Sequence, residues 1–368
     1  MTPKPAPSSP SPQPLLPLRG LKIVEFEGLG PAPLAGRMLA QGGADVTLVA
    51  RPGGNPMSDQ LGGAGRPLHQ GKQVVVIDLK AAAGVARALD LVAQADALIE
   101  GNRPGVMERL GLAPQVCHER NPRLVYGRMT GWGQSGPLAQ IAGHDLNYVA
   151  LTGLLSLSGR PGERPILPPT VVGDGAGALG LAYGIVCGVL QARQTGQGCV
   201  VDAAIVDITS MLGGLAHWLH ASGGLGAGVD EQRRPSAFHD SPFYDVYECA
   251  DGRFITLGAL EPQFYALLLQ KLELTDVDPR AQYDTAQWPA LKARFVALFR
   301  TRTRDQWCVL LEGSDVCFAP VLSIAEAAAH PHSLARQAFE ALPGGSVQAA
   351  AAPRFGAPSQ PPPTARLA

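Results

Sequence analysis

The sequence has 368 residues, of which 46% are apolar and 17% charged, with a formal net charge of −1. That length suits two domains with a sizeable core, and the near-neutral charge excludes a global pull toward nucleic acid or an anionic membrane. Any anionic ligand must then be held by local basic residues.

Residues 1–17 are rich in Pro and Ser and are expected to form a disordered leader. Order is expected from Leu21-Lys22-Ile23-Val24-Glu25-Phe26, which reads as a strand. The turn Gly28-Leu29-Gly30 follows, Pro31 suits a helix start, residues 34–41 read as helix and Asp45-Val46-Thr47-Leu48-Val49 as a second strand. This βαβ unit predicts a parallel sheet covered by helices. Residues 73–79 read as strand, 84–94 as helix, 97–100 and 124–126 as strands, with a helix from Pro114 between the last two. A long helix of small residues is expected over 175–193, a strand at Val200-Val201-Asp202 and one further helix over 208–221.

The glycine run at 223–228 and the charges at 230–234 read as a linker. Beyond it, two β-rich stretches flank Ala250-Asp251-Gly252, a hairpin signal. Helices are expected near 262–272 and 304–311, giving a smaller α+β domain over 240–334, and the Pro-rich tail is expected to fray.

No uninterrupted apolar run reaches the roughly 18–20 residues of a membrane span, and the start of the chain lacks the apolar stretch of a signal peptide. The cysteines at 117, 187, 199, 249, 308 and 317 show no CxxC and no metal-ligand spacing. They read as reduced thiols, so the cytoplasm is the expected compartment. Neither a metal, nor a nucleic-acid partner, nor a membrane partner is expected.

Gly28-x-Gly30 after a strand invites a dinucleotide reading, since glycines let a phosphate approach a helix N-terminus. The third glycine of that motif is out of place, and Arg51 rather than an acid closes the second strand. A basic residue there suits a ribose phosphate, as NADP or coenzyme A would offer. Lys80, Arg103 and Arg109 stand near other strand ends, where ligands bind in open α/β sheets. Each alone reads as a surface charge; together they read as a phosphate site. Three ionisable residues stand out by context: His144 after a Gly-rich loop, Asp174 before the long helix, and Glu261 before Pro262. Their bland readings are a structural histidine, an N-cap and a helix-start charge.

The run Thr130-Gly131-Trp132-Gly133-Gln134-Ser135-Gly136-Pro137, followed by Gly143-His144-Asp145-Leu146-Asn147-Tyr148, closely resembles the α-methylacyl-CoA racemases of the class III CoA-transferase family. Also similar are Asp78-Leu79-Lys80, Arg103-Pro104-Gly105, Val172-Gly173-Asp174, Val201-Asp202-Ala203-Ala204, Tyr247 to Gly252, and Glu261-Pro262-Gln263-Phe264-Tyr265. The likeness runs in order over residues 18–356. It implies an interlocked homodimer. Each chain would carry a large Rossmann-like domain (18–222, rejoined by 335–368), a linker at 223–239 and the small domain. The active site would lie between one subunit's large domain and its partner's small domain.

The resemblance implies catalytic roles for His144, Asp174 and Glu261. It places coenzyme A against Arg51, Ile77, Asp78, Leu79, Lys80, Gly101, Asn102, Arg103, Arg109, Gly143, Asp145, Leu146, Asn147 and Tyr148. After Gly173-Asp174 this chain reads Gly175-Ala176-Gly177-Ala178, where the racemases carry an aromatic residue and several glycines.

The implied reaction takes the α-proton of a 2-methylacyl-CoA from one face and returns a proton to the other. It needs two acid/base groups with pKa values near neutrality, here His144 and Asp174, with Glu261 tuning the imidazole. Backbone amides after Asp174 are expected to hold the enolate oxygen. No cofactor is needed beyond the coenzyme A of the substrate. Three rivals are a CoA transferase using Asp174 as nucleophile, an NADP-dependent reductase, and a non-enzymatic CoA-binding or scaffold protein. His144 separates the racemase from the transferase, because transferases of this family usually lack a histidine there.

Overall fold

The computed structural model describes residues 15–60, 66–159, 163–225, 235–342 and 345–356. Most of the expected leader, most of the linker and the Pro-rich tail lie outside them. The chain divides into two compact units, Met1–Tyr148 with Pro169–Thr209 and Ala335–Ala368, and Val149–Pro168 with Ser210–Leu334.

The first unit is built on six parallel strands: β1 (Lys22–Phe26), β2 (Asp45–Ala50), β3 (Gln73–Val76), β4 (Ala97–Glu100), β5 (Val125–Thr130) and β6 (Cys199–Ala204). Their order is β3-β2-β1-β4-β5-β6. Between them run α1 (Pro31–Gln41), α2 (Pro56–Gln60), α3 (Ala82–Val92), α4 (Val106–Arg109), α5 (Pro114–Arg120), α6 (Asp145–Leu151) and α7 (Gly173–Thr195). Alternate strand residues serve opposite faces. Ile23, Ala97 and Ile99 join Ala35, Leu39, Leu181 and Ile185 of α1 and α7 in one core. Val24 and Leu98 join Ala88, Leu89 and Cys117 of α3 and α5 in the other. With both faces covered, the central strands read as continuous apolar runs.

β3 ends at Val76, earlier than expected, and beyond it the Asp78 carboxylate accepts the Lys80 N–H (3.0 Å) in an Asx turn. α7 starts two residues earlier than expected, so Asp174 lies inside the first turn and makes no side-chain cap. With 23 residues and mean hydropathy 1.5, α7 is long and apolar enough to cross a membrane, a property that uninterrupted apolar runs do not capture. Its Leu181, Ala182, Ile185 and Val189 are buried in the core on the sheet.

In the second unit, β7 (Tyr244–Glu248) and β8 (Phe254–Gly258) form the expected antiparallel hairpin. A third strand, β9 (Phe318–Pro320), extends it. Residues 208–221 form two helices, α8 (Ile205–Leu212) and α9 (Gly214–Ala221). The break at Gly213 packs on Leu154, where any side chain would collide. His217 Nε2 meets the Thr152 carbonyl at 3.1 Å and His239 Nε2 meets that of Leu157 at 2.7 Å. Residues 149–168 and 210–222, expected in the large domain, therefore cluster here.

The helices α10 (Pro262–Lys271), α11 (Trp288–Phe299) and α12 (Arg304–Leu311) complete this core. Aromatics are only 6% of the sequence, yet Phe243, Tyr247, Tyr265, Trp288, Phe295, Phe299 and Trp307 are all buried here. Burying so many large rings lets a small unit hold its own core.

Candidate active site

In a sheet of this order, ligands bind beyond the C-terminal strand ends where the winding reverses, here between β1 and β4. The turn Gly28-Leu29-Gly30 leaves β1 on one side. Gly30 has φ +74°, and a Cβ there would lie 3.5 Å from Asp174 Oδ2, so the Asp174 carboxylate rests against this turn. Asp174 thereby reaches the crevice from the first turn of α7, far downstream of β1 in sequence.

The motif Gly143-His144-Asp145 supplies the other groups. His144 is exposed at the start of α6, and its N–H donates to Asn147 Oδ1 (3.0 Å). Asp145 is buried, and its carboxylate accepts the N–H of Asp174 (2.7 Å) and of Thr170 (3.2 Å). Thr170 has φ +61°, a conformation costly for a β-branched residue. The Asp145 carboxylate thus holds a strained turn closed just ahead of Asp174.

Burial pushes the Asp174 carboxyl up to about 6, the negative charge of Asp145 adds to the rise, and His144 opposes it. A carboxyl so poised exchanges protons near neutral pH. The amides expected to receive the enolate oxygen are already engaged. The Asp174 N–H goes to Asp145, and those of Gly175 and Ala176 go to the carbonyls of Thr170 (3.2 Å) and Val172 (3.3 Å).

Tyr148 carries the loop. Its hydroxyl donates to the Gly143 carbonyl, and its ring meets Trp132 edge-on at 4.7 Å. Side chains at Gly131 or Gly143 would overlap that ring, which is why the motif needs glycine at both places. Gly143, Asp145 and Tyr148, all expected against substrate, thus have packing and capping duties. Leu146 and Asn147 are exposed.

Of the expected phosphate ligands, Arg51 is half-exposed and bonded through Nε to Glu27 Oε2 (2.9 Å), whose carboxylate also accepts the Arg51 N–H (3.1 Å). Sequence reading missed Glu27. The side chain of Ile77 is buried and that of Leu79 half-buried, whereas Asp78 and Lys80 are exposed. Gly101, Arg103 and Arg109 are exposed and Asn102 half-buried. Among the described residues none of Lys80, Arg103 and Arg109 has an ion-pair partner. Behind them lies a second missed group. Arg128 on β5 bonds Glu100 on β4 (2.9 Å) and Glu108 on α4 (2.9 and 3.4 Å).

Glu261 belongs to the second unit. It is exposed at the N-cap of α10, with no side-chain cap bond. Its charge adds to burial in raising the hydroxyl of Tyr283 and the thiol of Cys317. Among the described residues, no group of three or more His, Cys, Asp or Glu side chains is placed to hold a metal ion.

Residues 18–366 match the sequence profile of CoA-transferase family III. The chain belongs to that family. The α-methylacyl-CoA racemase of Mus musculus is 40% identical over 324 residues, covering 88% of this chain and 82% of that protein. The α-methylacyl-CoA racemase of Homo sapiens is 38% identical over 323 residues, with the same two coverages of 88% and 82%. A CAIB/BAIF family protein from Brucella suis has a crystal structure that superposes with a TM-score of 0.77 at 26% identity, covering 93% of each chain. The family includes CoA transferases as well as racemases.

Proposed function

We propose that the chain is a racemase of 2-methylacyl-CoA thioesters. The observation that carries this reading is the Asp174 carboxyl, held at about 6 and under the electrostatic influence of His144. One group removes the α-proton, electrons move into the thioester carbonyl to give an enolate, and the other group returns a proton to the opposite face. An acid/base pair set on opposite faces of the α-carbon can exchange roles, so the reaction runs in either direction. The similarity to two racemases over most of the chain supports the same reading.

Arg51, Lys80, Arg103 and Arg109, with the strand-end backbone at Ile77–Lys80 and Gly101–Arg103, hold coenzyme A in this reading. Glu261 comes from the partner subunit of a homodimer and tunes His144. Exposed Leu179, Tyr183 and Leu190 on α7 support burial of that helix face in such a dimer.

The test is proton exchange. A single enantiomer of a 2-methylacyl-CoA, incubated with the protein in deuterated water, takes up deuterium at the α-carbon and loses chirality with no second acid present. A protein that exchanges nothing but moves coenzyme A to a free carboxylate is a transferase, with Asp174 as its nucleophile.

A further inference from the structure

The strand pairing of β4 with β5 sets Glu100 directly beside Arg128, and both point into one network. Glu100 is fully buried and divides its carboxylate between two tasks. One oxygen accepts Arg128 Nε (2.9 Å), and the other reaches forward to the N–H of Asn102 (2.7 Å). The remaining face of the Arg128 guanidinium grips both oxygens of Glu108, at 2.9 and 3.4 Å. The Asn102 side chain closes the loop by donating to Met107 Sδ (3.4 Å). The Tyr126 ring lies 5.8 Å from the guanidinium carbon, and its hydroxyl is tied to the Leu112 carbonyl (2.8 Å).

One buried cation therefore fixes two segments at once: the strand end Gly101-Asn102-Arg103 and the short helix that carries Glu108 and Arg109. We infer that Arg128 is a positioning residue. It sets the spacing of Arg103 and Arg109 for the phosphates of the coenzyme A nucleotide without touching them. The inference rests on the proposed coenzyme A site. The physical argument has two parts. A planar fork can bind two carboxylates along different edges, which a lysine ammonium cannot do with fixed geometry. Arg128 also neutralises acidic groups beside a site that must take up phosphates. Freed from it, Glu108 leaves an uncompensated negative charge on the short helix that carries Arg109.

The test compares substrates with and without the nucleotide. In Arg128→Lys, the preference for a 2-methylacyl-CoA over the matching acyl-pantetheine, measured as the ratio of kcat/KM values, falls about tenfold, the loss of roughly one charge-assisted hydrogen bond. Glu108→Gln, at an exposed position that tolerates substitution, lowers the ratio in the same sense by a smaller factor. Calorimetric titration with coenzyme A itself, which requires no turnover, shows a matching rise in Kd for both variants. Activity against both substrates falling in proportion, with coenzyme A affinity unchanged, would mean that the network serves folding alone and overturns the inference. If the native protein exchanges no α-proton, the racemase reading fails while the titration still decides the role of Arg128.

Discussion

The carboxylate of Asp145 accepts the backbone N–H of Asp174 at 2.7 Å, so two acidic groups are held close by a bond that neither side chain makes with the other. This contact fixes where Asp174 sits, and the Asp145 charge raises its proton affinity. Asp145→Asn removes the charge and keeps one acceptor oxygen. The acidic limb of the kcat/KM profile, governed by ionised Asp174, is expected to move to lower pH, with a loss of stability of about 1 kcal/mol from the weakened cap. A limb that stays in place would show that Asp145 does not act on Asp174.

Asp174 should also cost the fold stability. Its carboxyl is raised from 3.8 to about 6, so folding favours the protonated form. That contribution is complete below the unfolded value and is lost as pH rises through the folded one. Asp174→Asn is therefore expected to raise Tm at pH 7.5 relative to the native chain, and to do so much less at pH 4. Because the site is partly open to solvent, the gain at pH 7.5 should be only about 1–2 kcal/mol. The same variant should lose turnover by roughly two to four orders of magnitude. Thermal melts at the two pH values check the first claim, and an equal change at both removes it.

Arg51 pairs with Glu27 and, in the proposed reading, also meets a coenzyme A phosphate. Arg51→Ala is expected to raise KM for acyl-CoA several-fold with little change in kcat, since a phosphate contact acts in ground and transition states alike. Glu27→Gln frees the guanidinium and should weaken binding less. Steady-state kinetics on both variants decide whether the pair serves the ligand or only the turn.

A site shared between subunits predicts complementation. A His144→Ala chain refolded with a Glu261→Ala chain should recover activity, because in the heterodimer one site keeps both residues. A mixture as inactive as its parents would place each site within one chain.

Part of this architecture is legible in the sequence because its chemistry is local. Gly143-His144-Asp145 and Gly173-Asp174 are short motifs, and the β-α rhythm points to the parallel sheet through its apolar runs. What stays hidden depends on register. Glu100 and Arg128 are 28 residues apart and meet only because β4 and β5 pair as they do. Asp145 reads as a ligand contact because its backbone partner lies 29 residues on. The helix at Trp288–Phe299 is absent from the expected elements although its apolar spacing, with Trp288, Phe295 and Phe299 on one buried side, carries the signal. The break at Gly213 also has a local signal, the pair Gly213-Gly214, whereas the Leu154 packed against it is remote in sequence.

The first unit draws on three separate stretches of chain, the last of them beginning at Ala335. In that stretch, strands Phe339–Ala341 and Val347–Ala349 pair antiparallel, and Gln348 bonds Gln70 at 2.8 Å. On a ribosome adding roughly 5–20 residues per second, the whole of Ser210–Leu334 emerges ahead of this stretch. The smaller, aromatic-rich unit can close while the larger one still waits for its final piece. A nascent chain stalled at that point would display a complete six-stranded sheet that still lacks the closing segment of its unit.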